Sequence, residues 1–246
     1  MHCQPQYKGQ VYIWLKNKQT CLLCDELTDT SHPLCTPCES ELPWLGDHCQ
    51  MCALPLPMAG LTCGQCQKKP PAFEQVVTPF TYGFPIDSLI TRFKHNAKWP
   101  FGRLLAELLS QSLQHRFDED LIRPDALVPV PLANKRLRER GYNQAAMIAH
   151  WLSDSLNIPC DERLLLRIQD TTAQQDLDAK ARKHNLQRAF ALAPDALIKG
   201  RHLALVDDVL TTGATAENLA HLLMKAGAQR VDVYCLARTP KPGELT

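Results

Sequence analysis

The densest apolar pattern lies near the C-terminal end. Residues 202–206 (HLALV) form an apolar run of the length expected for a strand buried on both faces. Residues 215–226 (TAENLAHLLMKA) change to helical spacing, with Leu219, Leu222 and Leu223 on one side, Thr215 suited to an N-cap and Gly227 to a stop. A second apolar stretch, Val231 to Ala237, follows, so the segment predicts a strand–loop–helix–strand unit with two parallel strands. Residues 126–130 (ALVPV) predict another strand, ended by Pro131. RFKHNAKW (92–99) has the pattern of a helix end. No stretch approaches the ~18–20 apolar residues that a membrane-spanning helix needs.

The loop inside the C-terminal unit carries the clearest chemistry. Thr211, Thr212 and Thr215 supply three hydroxyls and Gly213 lets the backbone come close to a ligand. A short loop opening a helix presents free N–H groups and the positive end of the helix dipole, which suits a phosphate monoester. Asp207 and Asp208 stand just before it. Carboxylates touching a phosphate would repel it, so this pair is expected to accept hydrogen bonds from sugar hydroxyls. Phosphate donors at one end and diol acceptors at the other describe a ribose 5-phosphate site. The segment is neither a Walker loop nor a dinucleotide fingerprint.

The first third of the chain has a different character. Four Cys-x-x-Cys pairs, Cys21/Cys24, Cys35/Cys38, Cys49/Cys52 and Cys63/Cys66, each begin 14 residues after the last. Two such turns complete a closed four-sulfur Zn²⁺ site, so eight ligands predict two structural zincs. A block this small buries little apolar surface, and metal becomes its main source of stability. Disulfides or a single site with spare pairs are the competing readings, and a reducing compartment and the spacing both oppose disulfides. Sequential pairing is simplest, while a cross-braced arrangement would use alternate pairs. His32 and His48 are expected to be bystanders, and Cys3, Cys160 and Cys235 ordinary small hydrophobes.

Charge sharpens the division. Of the 246 residues, 27 are Lys or Arg and 26 are Asp or Glu, so no global field steers the chain toward polyanions. Yet residues 21–66 hold six acids and no Lys or Arg, leaving the rest of the chain at a formal +7. Acidic residues and two dianionic metal sites disfavour phosphate binding by the cysteine block, which is expected to be structural or partner-docking. The basic excess concentrates after Pro131, where Lys135, Arg136, Arg138 and Arg140 face only Glu139. Arg136 and Arg140 share a face if helical, and a solvated basic face or contacts to nucleic-acid phosphates are the plain readings of that cluster. Lys8, Lys16 and Lys18 interrupt the first 20 residues, which lack a signal-peptide core and predict a cytoplasmic home.

Val206-Asp207-Asp208-Val209-Leu210-Thr211-Thr212-Gly213-Ala214-Thr215 resembles the phosphoribosyl pyrophosphate (PRPP) motif of type I phosphoribosyltransferases. The order of the whole chain extends this to the ComF/GntX family of competence and DNA-utilisation proteins. Further marks are Phe93-Lys94, Val130-Pro131, Arg136, Arg140 through Gln144, Arg167, Thr171, Gln174, Leu177, Arg182, Asn185 and Ala189-Phe190.

The resemblance implies an α/β phosphoribosyltransferase-like fold, a mostly parallel sheet with helices on both faces, preceded by a small zinc-ribbon module. The expected divisions are an extension (1–20), a double zinc ribbon (21–70), the phosphoribosyltransferase-like domain (71–240) and a tail (241–246). It also implies that Asp207 and Asp208 hold the ribose and that Val209 through Thr215 cradle its phosphate. Lys94, Pro131, Arg136, Arg140 and Arg182 are implied at diphosphate or DNA phosphate, with Lys98 lining the same cleft and 167–185 acting as a flap. Thr211 stands where purine-salvage relatives carry an acid, which argues against hypoxanthine or guanine as acceptor.

Two functions follow from the resemblance. One is DNA uptake or utilisation, acting on incoming single-stranded DNA with DNA-uptake channel or helicase partners. The other is Mg²⁺-dependent phosphoribosyl transfer to an acceptor the sequence does not name. A PRPP-sensing regulator without turnover is a third, since the same cradle can bind without catalysis. Elemental mass spectrometry of the purified chain is expected to find about two zinc atoms per molecule; a value near one rejects the double site.

Overall fold

A computed structural model describes residues 19–96, 98–168 and 189–241. They belong to two compact units, one ending at Leu42 and the other beginning at Pro43. In the first, a helical turn α1 (Thr36–Ser40) follows the Cys35 knuckle. Asp29 serves that turn from outside it. Its Oδ1 accepts from the Thr36 N–H at 3.1 Å and its Oδ2 from the Thr36 hydroxyl at 2.8 Å.

The second unit begins with a further cysteine ribbon containing α2 (Gly64–Lys68), and an α/β sheet follows it. The strands are β1 (Val76–Val77), β2 (Phe80–Thr81), β3 (Ala126–Pro129), β6 (His202–Leu210) and β7 (Arg230–Arg238), in the order β1-β7-β6-β3. β2 continues the edge that β1 begins on β7, and every one of these pairings is parallel. The expected parallel pair is β6 with β7, in register from His202↔Arg230 to Leu210↔Arg238. His202 through Val206 are buried, as a strand covered on both faces requires.

Helix α7 (Ala214–Lys225) packs Leu219 and Leu223 into a cluster with Leu203, Leu205, Val231 and Val233. Side chains alternate along a strand, so Ala204, Val206 and Tyr234 look the other way, where α4 (Trp99–Asp118) and α6 (Gln144–Leu156) lie. Helices therefore cover both faces, as the family resemblance implies. A short antiparallel pair, β4 (Leu165–Arg167) with β5 (Phe190–Leu192), brackets the stretch in which the flap was expected. Gln169 through Arg188, including Thr171, Gln174, Leu177, Arg182 and Asn185, lie outside the described residues, as does Cys3. Among the described residues no helix is long and apolar enough to cross a membrane.

Two elements set the carboxyl edge of the sheet. Basic α5 (Asn134–Arg140) follows β3 there, and α3 (Ile86–Asn96) leaves the end of β2. A Cβ on Gly102 of α4 would lie 2.5 Å from Phe93 Cδ2, so glycine is what lets α3 and α4 touch. Phe93 also stacks at 5.8 Å from both Tyr142 and Trp151, and its carbonyl accepts the Tyr142 hydroxyl. The ring has no room to yield. Gly102→Ala is expected to cost ~1–3 kcal/mol by urea denaturation; an unchanged midpoint would show that the contact is not tight.

Candidate functional site

β6 runs through Asp207, Asp208 and Val209 to Leu210, further than the apolar run alone predicts, because β7 pairs with it to Arg238. Only Thr211, Thr212 and Gly213 remain to turn the chain into α7. Such a tight turn needs a left-handed residue, and Gly213 supplies it at φ 76°. The N-cap is therefore Gly213, not Thr215. Thr215 lies in the first turn of α7, and the Thr212 hydroxyl accepts from the Ala214 N–H at 3.3 Å. The hydroxyls of Thr211 and Thr212 stand at an exposed loop on the helix N-terminus, the surroundings a phosphate monoester needs.

Beside the loop lie the two acids. Asp208 Oδ2 is 2.9 Å from Lys94 Nζ, which α3 carries in from a distant part of the chain. The Asp207 carboxyl accepts from the Asp208 N–H at 2.9 Å. Burial, reinforced by the Asp208 charge, pushes Asp207 up from 3.8 to about 7, against the Asp208 N–H and Lys94, which pull it down. The raised Asp207 carboxyl and the Lys94–Asp208 ion pair lower the negative charge at this strand end. The repulsion that two adjacent acids would impose on a phosphate is thereby reduced, while their oxygens remain acceptors for hydroxyls.

The stretch after β3 lies at the same carboxyl edge, because β3 and β6 run parallel in register Ala126↔Leu203 to Pro129↔Val206. Val130 extends the pairing with its N–H 2.9 Å from the Val206 carbonyl, and Pro131 follows. Asn143 anchors the return: its side chain donates to the Val130 carbonyl at 3.0 Å and accepts from the Ala145 N–H at 3.1 Å, capping α6. Arg136 is exposed on α5 and Arg140 half-buried, and Lys98 is exposed at the start of α4.

A residue that the sequence reading missed completes the loop. Arg238, buried at the end of β7, donates from Nη1 to the carbonyls of Leu210 (3.0 Å), Thr211 and Thr239 (2.7 Å), and from Nε to that of Cys52 (2.9 Å). As one more basic residue at a strand end it carries no motif, so no sequence signal singled it out.

The cysteines form two four-thiol clusters, Cys21/Cys24/Cys35/Cys38 in the first unit and Cys49/Cys52/Cys63/Cys66 in the second. In each the sulfurs lie within 4.8 Å of one another. Sulfur separations of 3.6 Å (Cys24–Cys35) and 3.7 Å (Cys52–Cys63) are far beyond a disulfide and near the edge of a tetrahedron with ~2.3 Å Zn–S bonds. The pairing is thus sequential, and the cross-braced and disulfide alternatives fall away. Backbone N–H groups already support the anionic form, from Leu23 to Cys21 Sγ (3.4 Å) and from Cys63 to Cys49 Sγ (3.3 Å). Burial opposes ionisation, but backbone N–H groups, those of Cys35, Cys24 and Leu23 at Cys21 and of Cys52, Cys63 and Met51 at Cys49, hold Cys21 down at about 6 and Cys49 at about 7, while burial and neighbouring thiols push Cys38 and Cys66 far up. Four thiolates at this spacing need a divalent cation, and the donor sets fit zinc. His32 pairs with Glu39 at 3.2 Å and the His48 ring nitrogen sits 2.6 Å from the Gly46 carbonyl, so neither belongs to a cluster. Burial pushes the thiols of Cys160 and Cys235 up to about 12.

Two family models agree with this architecture. The double zinc ribbon domain family matches residues 18–67 and the phosphoribosyl transferase domain family residues 144–245. DNA utilization protein YhgH of Escherichia coli K12 is 36% identical over 221 residues, 89% of this chain and 96% of that protein. Competence protein F of Haemophilus influenzae is 37% identical over 210 residues, 85% and 86% of the two chains. Among solved structures, a purine phosphoribosyltransferase from Pyrococcus horikoshii covers 57% of this chain and 78% of its own at 19% identity and TM-score 0.35. The glutamine PRPP amidotransferase of B. subtilis covers 55% at 18% identity and TM-score 0.37, the match spanning 25% of that longer chain.

The raised Asp207 carboxyl makes a stability prediction. The folded chain holds this proton more tightly than the unfolded one, so the contribution is full below about pH 4 and is lost as pH rises through about 7. Asp207→Asn is expected to gain on the wild type between pH 4 and 8, by on the order of 1–3 kcal/mol at the upper end. A difference in unfolding free energy that stays flat across this range overturns the assignment.

Proposed function

The chain belongs to the ComF/GntX family of competence and DNA-utilisation proteins, and from that premise we propose that it acts on incoming single-stranded DNA in the cytoplasm and binds PRPP on the Val209–Thr215 segment. The observation that carries the reading is the Thr211–Gly213 turn at the N-terminus of α7, with Asp207 and the Lys94–Asp208 ion pair beside it. In this reading the loop amides and threonine hydroxyls take the 5-phosphate, and Asp207 and Asp208 accept from the ribose hydroxyls. Lys94 and the basic α5, through Arg136 and Arg140, meet the diphosphate or the DNA backbone, and Mg²⁺ enters with PRPP to offset the diphosphate charge. Arg182 is assigned to the same anion by resemblance alone.

Active phosphoribosyl transfer is the second reading, favoured by the position of both acids at the strand end beside the Thr211–Gly213 turn. Catalysis would then consist of positioning the sugar and stabilising the leaving diphosphate. In either reading the zinc ribbons are structural, since a closed tetrathiolate leaves no open metal position.

Calorimetric titration with PRPP and Mg²⁺ is expected to show binding that Asp207→Asn with Asp208→Asn weakens roughly 10–100-fold, the effect of two lost charged acceptors. Unchanged affinity removes the acids from the site. Binding of a single-stranded oligonucleotide is expected to fall with salt, and Arg136→Ala with Arg140→Ala to flatten the log–log slope by about 1.4. No binding even at low ionic strength excludes direct engagement of DNA. Diphosphate release with any nucleobase acceptor promotes the enzymatic reading.

A further inference from the structure

The second cysteine cluster and the phosphate loop share one side chain. Arg238 spans 186 residues of sequence to reach the carbonyl of Cys52, a ligand of the second metal site, and with the same guanidinium holds the carbonyls of Leu210 and Thr211. Its hydrogen-bond partners are neutral carbonyls, so directional bonds fix this buried charge in place.

The geometry of the peptide bond gives that arrangement a consequence. In a trans peptide the C=O and the following N–H point in opposite directions within one plane. With the Leu210 and Thr211 carbonyls drawn onto Arg238, the N–H groups of Thr211 and Thr212 are turned to the side away from it. Two successive amides turned outward with a buried guanidinium behind them make an anion cradle. At the other end of the guanidinium, the Cys52 carbonyl belongs to a knuckle whose backbone is closed by Ala53 N–H on the Cys49 carbonyl at 2.9 Å. Cys52 Sγ lies 3.7 Å from Cys63 Sγ, and the second ribbon enters the sheet core through Ala53, Leu45 and Cys52. Metal holds that knuckle in shape. Without it the Cys52 carbonyl is released, Nε loses its acceptor, and the guanidinium no longer fixes both loop carbonyls.

We propose that Arg238 is a positioning residue that couples metal occupancy of the Cys49/Cys52/Cys63/Cys66 site to the anion-binding geometry of the Thr211–Thr215 loop. Zinc in that site and a sugar phosphate on the loop each strengthen the other's binding. The coupling rests on the reading of this loop as a phosphate cradle, and because linkage is reciprocal it can be measured from the metal side.

The test uses the full-length, zinc-loaded chain. A zinc-selective chelator is added with an alkylating reagent, and mass spectrometry follows modification of Cys49, Cys52, Cys63 and Cys66 against that of Cys21, Cys24, Cys35 and Cys38. PRPP with Mg²⁺ is expected to slow modification of the second set about fivefold or more and to leave the first set, the internal reference, unchanged. Arg238→Lys, which keeps a charge but loses the planar fork, is expected to abolish most of that protection. Bound PRPP that protects neither set, protects both alike, or protects equally well in Arg238→Lys overturns the coupling.

If calorimetry shows that PRPP does not bind, the phosphate reading fails by itself and the coupling is read without ligand. Amide hydrogen exchange of residues 211–215 is then compared in zinc-loaded wild type and after chelation of the second site. Exchange about tenfold faster there, with the 203–206 strand amides still protected, supports the coupling. Unchanged exchange at 211–215, or a loss of protection no greater there than at 203–206, overturns it. A purely structural arginine would lower the melting temperature without producing the site-selective response to ligand.

Discussion

The parallel pairing of β6 with β7 is the constraint on which the rest hangs. Nine residues of each strand are paired or flanked in a single register, and its last rung, Leu210↔Arg238, decides where the chain must turn. Had β6 stopped at the end of its apolar run, the acids would belong to a longer, less constrained loop between strand and helix. Because the ladder continues, Asp207 and Asp208 are strand residues with fixed side-chain directions, and the turn is reduced to three residues ending in a left-handed glycine. The same rung brings Arg238 under the Leu210 and Thr211 carbonyls.

Electrostatics at the carboxyl edge follow from that geometry. Two adjacent carboxylates at a strand end repel one another, and the fold answers in two ways. Burial and mutual repulsion keep Asp207 partly protonated near neutral pH, and α3 delivers Lys94 to Asp208. Lys94 follows Phe93, whose ring lies against Gly102, so the tight meeting of the two helices is next to the residue that pairs with the strand end.

The two metal sites share one ligand pattern but differ in setting. The Cys21–Cys38 cluster belongs to the unit ending at Leu42, while the Cys49–Cys66 cluster belongs to the unit built around the sheet. There Trp44 lies against Phe80 at 4.8 Å, and the Leu45 N–H donates to the Pro79 carbonyl at 2.7 Å, stitching the approach to the second ribbon onto the sheet edge. A ribbon embedded this way shares the core of the sheet it joins, through Ala53, Leu45 and Cys52.

What the sequence alone determined is whatever depends on near neighbours. The buried run of β6, the 14-residue cysteine period, the leucine face of α7 and the threonine–glycine turn are local patterns, and each is found where its residues predict. The tertiary structure decided what depends on distant partners. It chose sequential over cross-braced metal ligation, paired Lys94 with Asp208, moved the N-cap from Thr215 to Gly213 and recruited Arg238 to Cys52. The physical reason is common to all four. Side-chain spacing reports a residue's own turn or strand, whereas an ion pair, a strand's final length and a buried donor's acceptors are set by which elements the core brings together.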